Sequence, residues 1–272
     1  MPYGVRVLMS RPIFEARDLS VTFNVGRGRN KSQVQALKNV SLDVNEGEIV
    51  GLVGESGSGK STLARVAIGL QKQNSGELFY AGQALPIART LEDRRKMQMI
   101  FQDPYSSLDP RMSVKQAIFE LLDTHKVLPK EKRLDRCKEL LSLVKLPESL
   151  LDSRPYAMSG GQRQRVAIAR ALSLNPHFLI ADEAVSALDV SVQASIINLL
   201  SDLRDSLKLS ILFISHDLAI VRLICDRVNV INLGEIVESS PTLHLFDNPK
   251  HAYTRQLISA VPKLDAIVRN AN

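Results

Sequence analysis

The segment GESGSGKS at residues 54–61, the phosphate loop, decides the fold of this 272-residue chain. It fits the pattern G-x-x-x-x-G-K-[ST], in which glycines let successive backbone N–H groups point at phosphate oxygens. The apolar run at 49–53 before it predicts a strand buried on both faces. After it, helical spacing predicts buried positions at Leu63, Val66, Ala67 and Leu70. Strand, glycine-rich turn and helix in this order predict a cradle for a nucleoside triphosphate.

Two side chains of the phosphate loop carry chemistry of their own. Lys60 is long enough to reach the β- and γ-phosphates, and the Ser61 hydroxyl is a ligand for Mg²⁺. A second apolar strand, at 178–182, ends in the adjacent carboxylates Asp182 and Glu183. Because the carboxyl ends of parallel strands face the ligand crevice, Asp182 is expected to hold Mg²⁺, directly or through water, and Glu183 to orient or polarise the attacking water.

Further polar residues stand where strands end or helices begin. Ser-Gly-Gly-Gln at 159–162 opens a helix, which predicts either an ordinary capped helix start or a second anion site. One chain with one nucleotide has no need of two such sites, so the second would close on a nucleotide held by another subunit. His216 and Gln102 each follow a strand, where His216 suits a γ-phosphate contact or a structural hydrogen bond.

The pattern of elements predicts an α/β fold. Residues 13–44 alternate apolar and polar side chains and predict an antiparallel pair, and strands alternate with helices from residue 160 onward, which predicts a mostly parallel core sheet. Residues 105–155 predict an all-helical insertion. The apolar face of its second helix is expected to comprise Leu134, Cys137, Leu140, Leu141 and Val144. A hairpin is expected to turn near Gly234.

Composition sets outer limits on function. Hydrophobic residues make up 44% and charged residues 24% of the chain, which is ordinary globular composition. The longest apolar runs fall far short of the ~18 residues that a membrane helix needs. The net charge of +6 suits phosphate ligands, an anionic membrane or nucleic acid, and its tightest cluster, Arg27, Arg29 and Lys31, reads as a solvated loop. Cys137 and Cys225 form no metal or redox pattern, so they are expected to be buried or half-buried side chains of a protein in the reducing cytosol.

Together these motifs resemble those of the nucleotide-binding subunits of ABC transporters, over about residues 13–262. GESGSGKST is similar to the Walker A motif of that family, and FLIADE at 178–183 is similar to its Walker B motif. MSGGQ at 158–162 is similar to the signature motif of that family, and residues 159–162 are therefore called the signature segment. The resemblance implies a P-loop NTPase fold with an antiparallel β subdomain, the helical subdomain at about 104–160, the whole domain at 13–250 and a short tail at 251–272.

The resemblance also implies ATP and Mg²⁺ as cofactors and a role for each matched residue. The catalytic residues would be Lys60, Gln102, Glu183 and His216, and the metal ligands Ser61, Gln102 and Asp182. Phe23 is similar to the aromatic residue that stacks on adenine, although a Phe in a buried strand is the plainer interpretation. The other implied nucleotide contacts are Gly54, Glu55, Ser56, Gly57, Ser58, Gly59, Lys60, Ser61, Thr62, Ser159, Gly160, Gly161, Gln162 and Asp189.

Two stretches look like the peptide-type import branch of that family: IFQDPYSSLDPRMSV at 100–114 and FDNPKHAYTRQLISAVP at 246–262. The branch implies two transmembrane permease subunits, a second ATP-binding subunit that is a paralogue, and an extracytoplasmic solute-binding protein. It places the chain at the cytoplasmic face of the cytoplasmic membrane, with no nucleic acid bound. Met158 replaces the usual leucine, Ala184 replaces the common proline, and no cysteine cluster follows, so no iron–sulfur group is expected.

Other functions stay open at this point. Import of nickel or a metal chelate fits the same branch, and the cargo cannot be read from the chain. ABC-type ATPases that act on nucleic acid usually add coiled coils, zinc-binding cysteines or a second ATP domain, none of which the sequence contains. A catalytically silent regulatory module conflicts with Glu183 and His216.

Overall fold

The computed structural model describes residues 12–26, 32–103, 107–186 and 188–260. Its strands in chain order are β1 (Pro12–Val25), β2 (Ser32–Asn45), β3 (Ile49–Val53), β4 (Ser75–Tyr80), β5 (Gln83–Ala84), β6 (Met97–Ile100), β7 (Phe178–Asp182), β8 (Ser210–Ser215), β9 (Arg227–Asn232) and β10 (Glu235–Pro241). The predicted basic cluster, Arg27, Arg29 and Lys31, lies outside the described residues.

The α-helices of the described residues separate these strands. They are α1 (Lys60–Ala67), α2 (Leu91–Lys96), α3 (Val114–Thr124), α4 (Arg133–Leu143), α5 (Gly160–Leu172), α6 (Val190–Leu207), α7 (Leu218–Ile224), α8 (Thr242–Asp247) and α9 (Ala252–Ser259). Short 3₁₀ turns at 130–132, 148–150 and 155–157 link the helices of the insertion.

Two sheets form the framework. The larger has the strand order β10-β9-β3-β8-β7-β6, in which every pair is parallel except β9–β10. The smaller is antiparallel, with the order β2-β1-β4-β5. The prediction of an α/β fold with a mostly parallel core sheet, an antiparallel subdomain and a helical insertion is confirmed.

Side chains of the larger sheet pack into two hydrophobic cores, one on each face, because successive residues of a strand point to opposite faces. In β3, Val50 and Leu52 join the core shared with α1 and the antiparallel sheet, while Ile49 and Val53 join the core formed with the helices. The rings of Phe14 and Phe178 stack between the two sheets with centroids 4.8 Å apart. Burial on both faces holds the larger sheet rigid, so the ends of its strands are fixed platforms for functional side chains.

The helical insertion packs α3, α4 and α5 against one another. Ser113 caps α3 with Gln116: the Ser113 hydroxyl accepts from the Gln116 N–H, and the Gln116 side chain accepts from the Ser113 N–H. Such reciprocal caps satisfy two N–H groups that a helix start leaves open. Within the described ranges, no helix is long and apolar enough to cross a membrane.

Two predicted core positions are wrong. Leu70 is 62% exposed because α1 ends at Ala67 and the chain turns away before the fourth apolar position is reached. Leu134 is 43% exposed because it lies in the first turn of α4, where the buried position is taken by Arg133. The predicted burial of both cysteines is confirmed, and burial raises the pKa of the Cys137 thiol to about 11.

An ion cluster ties the two sheets together. Arg227 at the start of β9 donates to Asp43 of β2 over 2.7 Å and to Glu48, just before β3, over 3.0 Å. Burial alone would lower the pKa of Arg227, but the two carboxylates raise it above its ordinary value. The guanidinium is therefore a permanent cation that joins β9 to Asp43 and Glu48, which lie 184 and 179 positions earlier in the chain.

Candidate active site

The phosphate loop is held in a conformation that only glycine allows at two of its positions. A Cβ atom on Gly54 would lie 2.1 Å from the carbonyl oxygen of Ile231 in β9. A Cβ atom on Gly59, whose φ is +113°, would lie 2.5 Å from the carbonyl oxygen of Ala36 in β2. The loop is therefore wedged between strands of both sheets, with α1 beginning directly after it.

Lys60 is buried against the loop that it follows. Its Nζ atom donates to the carbonyl oxygens of Gly54 over 2.8 Å and of Glu55 over 2.7 Å. Burial lowers the pKa of Lys60, and the negative charges of Glu183 and Asp182 oppose that shift. The ammonium is thus held at the floor of the loop, near the carboxylates that end β7.

Asp182 and Ser61 lie together as a metal site would require. The Ser61 hydroxyl is 3.4 Å from Oδ1 of Asp182. Mg²⁺ takes oxygen ligands at about 2.1 Å, so neighbouring ligands of its octahedron lie about 3.0 Å apart. The observed separation is close to that value, and the two residues fit a Mg²⁺ ion. Burial raises the pKa of Asp182, which a bound cation would reverse.

Glu183 follows β7 and contacts residues that come after β6 and β8, the two strands on either side of β7. Its Oε2 accepts from Nε2 of Gln102 after β6 over 2.6 Å, and its Oε1 lies 3.4 Å from Nδ1 of His216 after β8. The backbone of Glu183 has a φ of +47°, and its N–H donates to Ile214. This uncommon conformation turns the carboxylate out of the strand and toward its two partners.

These groups share one cavity of about 640 Å³. Its lining comprises Ala36, Gly54, Glu55, Ser56, Gly57, Gly59, Lys60, Ser61, Thr62, Gln102, Glu183, His216 and Leu257. Of the sequence-predicted residues, Ser58 is buried beside Lys60, and Asp182 lies just beneath through Ser61. The cavity combines backbone donors, the Lys60 ammonium and the carboxylates of Glu55 and Glu183, which suits a phosphate chain and an attacking water.

The signature segment is not part of this cavity's described lining. Ser159 and Gln162 form a capping box at the start of α5, in which the Ser159 N–H donates to Gln162 over 2.9 Å. A Cβ atom on Gly161 would lie 2.7 Å from a methyl group of Val192, so glycine allows α5 to approach α6. Within one chain, these residues act as an ordinary capped helix start.

Two other predicted nucleotide contacts also stand apart from the described lining of the cavity. Phe23 is half-buried near the end of β1 and packs against the core between the sheets. Asp189 is exposed at the start of α6, where its side chain makes no capping hydrogen bond. The roles assigned to both residues by resemblance stay predictions.

Sequence reasoning missed the contributions of Ala36, Tyr253 and Leu257. Leu257 lines the cavity, and the Tyr253 hydroxyl accepts from the Glu55 N–H over 2.9 Å. Tyr253 and Leu257 lie about two hundred positions from the phosphate loop, and no spacing rule connects either of them or Ala36 to it. Helix α9 lies in the stretch that the sequence predicted as a short tail, at 251–272, and α8 comes directly before it.

Comparison with known sequences gives two family matches. The family described as "ABC transporter" matches residues 37–186, and that described as "Oligopeptide/dipeptide transporter, C-terminal region" matches residues 237–271. The oligopeptide transport ATP-binding protein OppF of Bacillus subtilis is 45% identical over 262 residues, covering 94% of this chain and 85% of that protein. Its namesake from Streptococcus mutans is 44% identical over 262 residues, covering 95% and 84%.

Comparison with solved structures gives the same fold. The cbiO1 protein of Clostridium perfringens, part of the ABC transporter complex cbiONQ, superposes with a TM-score of 0.76 at 26% identity, covering 95% of this chain and 99% of that one. A bacterial ABC transporter cassette solved as a dimer superposes with a TM-score of 0.74 at 30% identity, covering 84% and 98%. The same cassette was also solved as a post-hydrolysis dimer with ADP and phosphate.

Proposed function

This chain belongs to the ABC transporter family of ATP-binding subunits, and we propose that it hydrolyses ATP to drive the import of peptides. One observation carries the proposal: Lys60, Gln102, Glu183 and His216 converge on a single cavity. That cavity belongs to a chain that aligns over 94% of its length with an oligopeptide transport ATP-binding protein.

The chemistry at this cavity is phosphoryl transfer to water. Backbone N–H groups of the phosphate loop and the Lys60 ammonium bind the phosphates and offset charge on the transferring group. Glu183 orients the water for in-line attack, and Gln102 and His216 hold the carboxylate from either side. Ser61 and Asp182 would hold Mg²⁺, which neutralises charge on the phosphate oxygens when it is bound.

The signature segment would complete the site of another subunit. It presents a serine and two glycines at a helix N-terminus, where N–H groups and the helix dipole favour an anion. In a head-to-tail pair, Ser159, Gly160 and Gly161 of one chain would close over the nucleotide of the other. A structurally similar cassette was solved as a dimer, which supports this arrangement. The peptide-type resemblance favours a paralogue as the partner.

Closure of the head-to-tail pair of ATP-binding subunits would be transmitted to the membrane subunits through Gln102 and the helical insertion. An apolar groove beside Gln102 runs between β6 and helices α3 and α5, with Phe101, Leu121 and Ala171 among its lining residues. We assign to this groove a cytoplasmic segment of one of the two transmembrane permease subunits. The chain would then sit at the cytoplasmic face of the membrane as a peripheral subunit.

Peptide cargo is proposed from the C-terminal region. Residues 237–271 match a family named for oligopeptide and dipeptide transporters, and the relatives that align over most of the chain carry the same description. Cargo selection itself belongs to the permeases and to an extracytoplasmic solute-binding protein, which would deliver the peptide.

Co-purification of the full chain from its native membranes, with the accompanying proteins identified by mass spectrometry, tests the proposal. We expect two multi-helix permeases, a second ABC ATPase and a peptide-type binding protein. A metal-type binding protein in their place would redirect the cargo to nickel or a metal chelate. Recovery with nucleic acid, in amounts that fall steeply with salt, would overturn the transport function and leave the ATPase chemistry standing.

A further inference from the structure

Helix α9 touches the phosphate loop from outside the motifs that define the nucleotide site. The Glu55 N–H donates to the Tyr253 hydroxyl over 2.9 Å, although the two residues are 198 positions apart. One turn further along the same helix, Leu257 lines the cavity itself. The C-terminal helix therefore meets both the backbone and the open side of the phosphate loop.

The start of α9 is fastened to the larger sheet. Both carboxylate oxygens of Glu238 in β10 accept backbone hydrogen bonds, one from Lys250 and one from His251, each over 2.9 Å. Burial alone would raise the pKa of Glu238, but these hydrogen bonds hold it below its ordinary value. Glu238 is therefore ionised at neutral pH and clamps the turn that leads into the helix. Tyr253, two residues beyond, is placed by that clamp.

A short chain of contacts leads from Tyr253 to the catalytic ammonium. The Glu55 N–H is held by Tyr253, and the Glu55 carbonyl oxygen accepts from Nζ of Lys60 over 2.7 Å. The Glu55 N–H and the Gly54 carbonyl belong to one planar peptide group, so the bond to Tyr253 also fixes the direction of the Gly54 carbonyl, which accepts from Nζ of Lys60 over 2.8 Å. Burial also raises the pKa of Tyr253, so its hydroxyl stays neutral at physiological pH.

From this geometry we infer that Tyr253 and Leu257 make α9 a positioning element of the nucleotide site. Tyr253 orients the peptide group between Gly54 and Glu55, whose carbonyl accepts from Lys60, and Leu257 supplies an apolar contact at the rim of the cavity. The inference rests on the nucleotide site proposed above and adds residues to it. It predicts that the C-terminal helix and the nucleotide stabilise each other, because any binding coupling is reciprocal.

The first test uses the full-length chain without nucleotide. Tyr253→Phe removes only the hydroxyl, so hydrogen exchange of the Glu55 amide should become about threefold faster, as expected when one hydrogen bond is lost. Tyr80→Phe is the matched control, because it removes a phenolic hydroxyl from the distant strand β4. Unchanged exchange at Glu55 would overturn the contact, whatever nucleotide does.

The second test measures binding of a fluorescent ATP analogue and steady-state hydrolysis. For Tyr253→Phe we expect Kd and KM to rise by about two- to fivefold, the value of one exposed hydrogen bond, while kcat at saturation stays close to normal. Faster amide exchange with an unchanged Kd would overturn the positioning role. Lys60→Ala separates the two proposals: if it keeps full affinity, the nucleotide site itself is wrong, even where the Tyr253 contact is intact.

A pair of variants in α9 provides an independent check. Leu257→Ala should weaken binding of the analogue by about threefold through loss of apolar contact. Ile258→Ala truncates the neighbouring aliphatic side chain, which packs against the core and is not part of the described cavity lining. Its Kd should stay at the wild-type value. Equal effects of the two variants would reduce α9 to a stabilising element and overturn the assignment of Leu257.

Discussion

The phosphate loop and the signature segment are both glycine-rich helix starts, yet the fold treats them differently. The phosphate loop is wedged between both sheets, and its lysine contacts backbone carbonyls in a cavity that is completed by residues of β2 and α9 and by residues after β6, β7 and β8. In the signature segment, Ser159 and Gln162 hydrogen-bond to each other. Neither residue belongs to the described lining of the cavity. The phosphate loop therefore forms a binding cavity within one chain, whereas the signature segment forms only a helix cap there.

This difference shows how two similar anion sites acquire different tasks. A loop whose donors converge with a lysine and a carboxylate can bind nucleotide in a single chain. A capped helix start that lies outside the described lining of this cavity contributes only when a second nucleotide is brought to it. Each substitution below therefore has a predicted place of action, either in the isolated chain or only in the assembled pair.

The largest effect is expected for Glu183→Gln. The amide keeps the shape and the contact with Gln102 but loses the charge that orients water, so turnover should fall by about 10²–10⁴-fold. Nucleotide affinity should be retained, and a closed dimer should accumulate, measurable by size exclusion with ATP. Glu77→Gln, on the exposed face of β4, is the control. Near-normal hydrolysis in Glu183→Gln would remove Glu183 from the mechanism.

Gly160→Asp tests the second half of the comparison. A Cβ atom at this position has a tolerable contact, 3.3 Å from a methyl group of Leu188, so the fold should survive. The added carboxylate would face the phosphates of the partner's nucleotide, and hydrolysis by the assembled pair should fall by about tenfold to a hundredfold. Binding to the isolated chain should be unchanged, as in the control Asn198→Asp on α6. Weakened binding in the isolated chain would place the segment in its own site.

Ser61→Ala tests how much the metal contributes to nucleotide binding in the cavity at the phosphate loop. Loss of the hydroxyl beside Asp182 should weaken nucleotide binding by about tenfold when Mg²⁺ is present. With EDTA the variant and the wild type should bind alike, since only the metal-dependent part of the affinity is removed. An equal loss in both conditions would show that Ser61 serves the phosphates directly.

The smallest effects are expected for substitutions in two capping boxes of the same composition. One is formed by Ser113 with Gln116 and the other by Ser159 with Gln162. Ser113→Ala and Ser159→Ala should each lower the free energy of unfolding by about 1 kcal/mol in urea titrations. Only Ser159→Ala should also reduce hydrolysis by the assembled pair, by a few-fold. If the two variants reduce hydrolysis equally, the serine of the signature segment acts as a cap and nothing more.

Local pattern was sufficient for most of the fold and for the motif residues that line the cavity. The phosphate loop, the strand that ends at Asp182 and the alternation of strands and helices each follow from residues close in sequence. The errors also have local causes: Leu70 and Leu134 keep helical spacing but lie beyond or at the edge of their helices, where burial is decided by the following turn. Periodicity alone does not give the end of a helix.

Contacts between distant segments were beyond reach of the sequence. Tyr253 reaches Glu55, and Arg227 reaches Asp43 and Glu48, across separations that only the folded sheets bring together. Whether Phe23 serves adenine could not be decided either, because a half-buried aromatic at a strand end suits both a core and a stacking surface. These residues depend on tertiary geometry, not on a spacing rule.

The cluster around Arg227 has a consequence for the order in which the protein is made. Asp43 and Glu48 leave the ribosome long before their cationic partner, which lies 184 positions after Asp43. The larger sheet has the same dependence, since β3 acquires its neighbours β8 and β9 only from the last quarter of the chain. The antiparallel sheet can pair early, but its docking waits for β9 to emerge. Nascent chains halted before residue 227 should therefore keep protease-sensitive strands, and sensitivity should disappear once β9 and β10 are included.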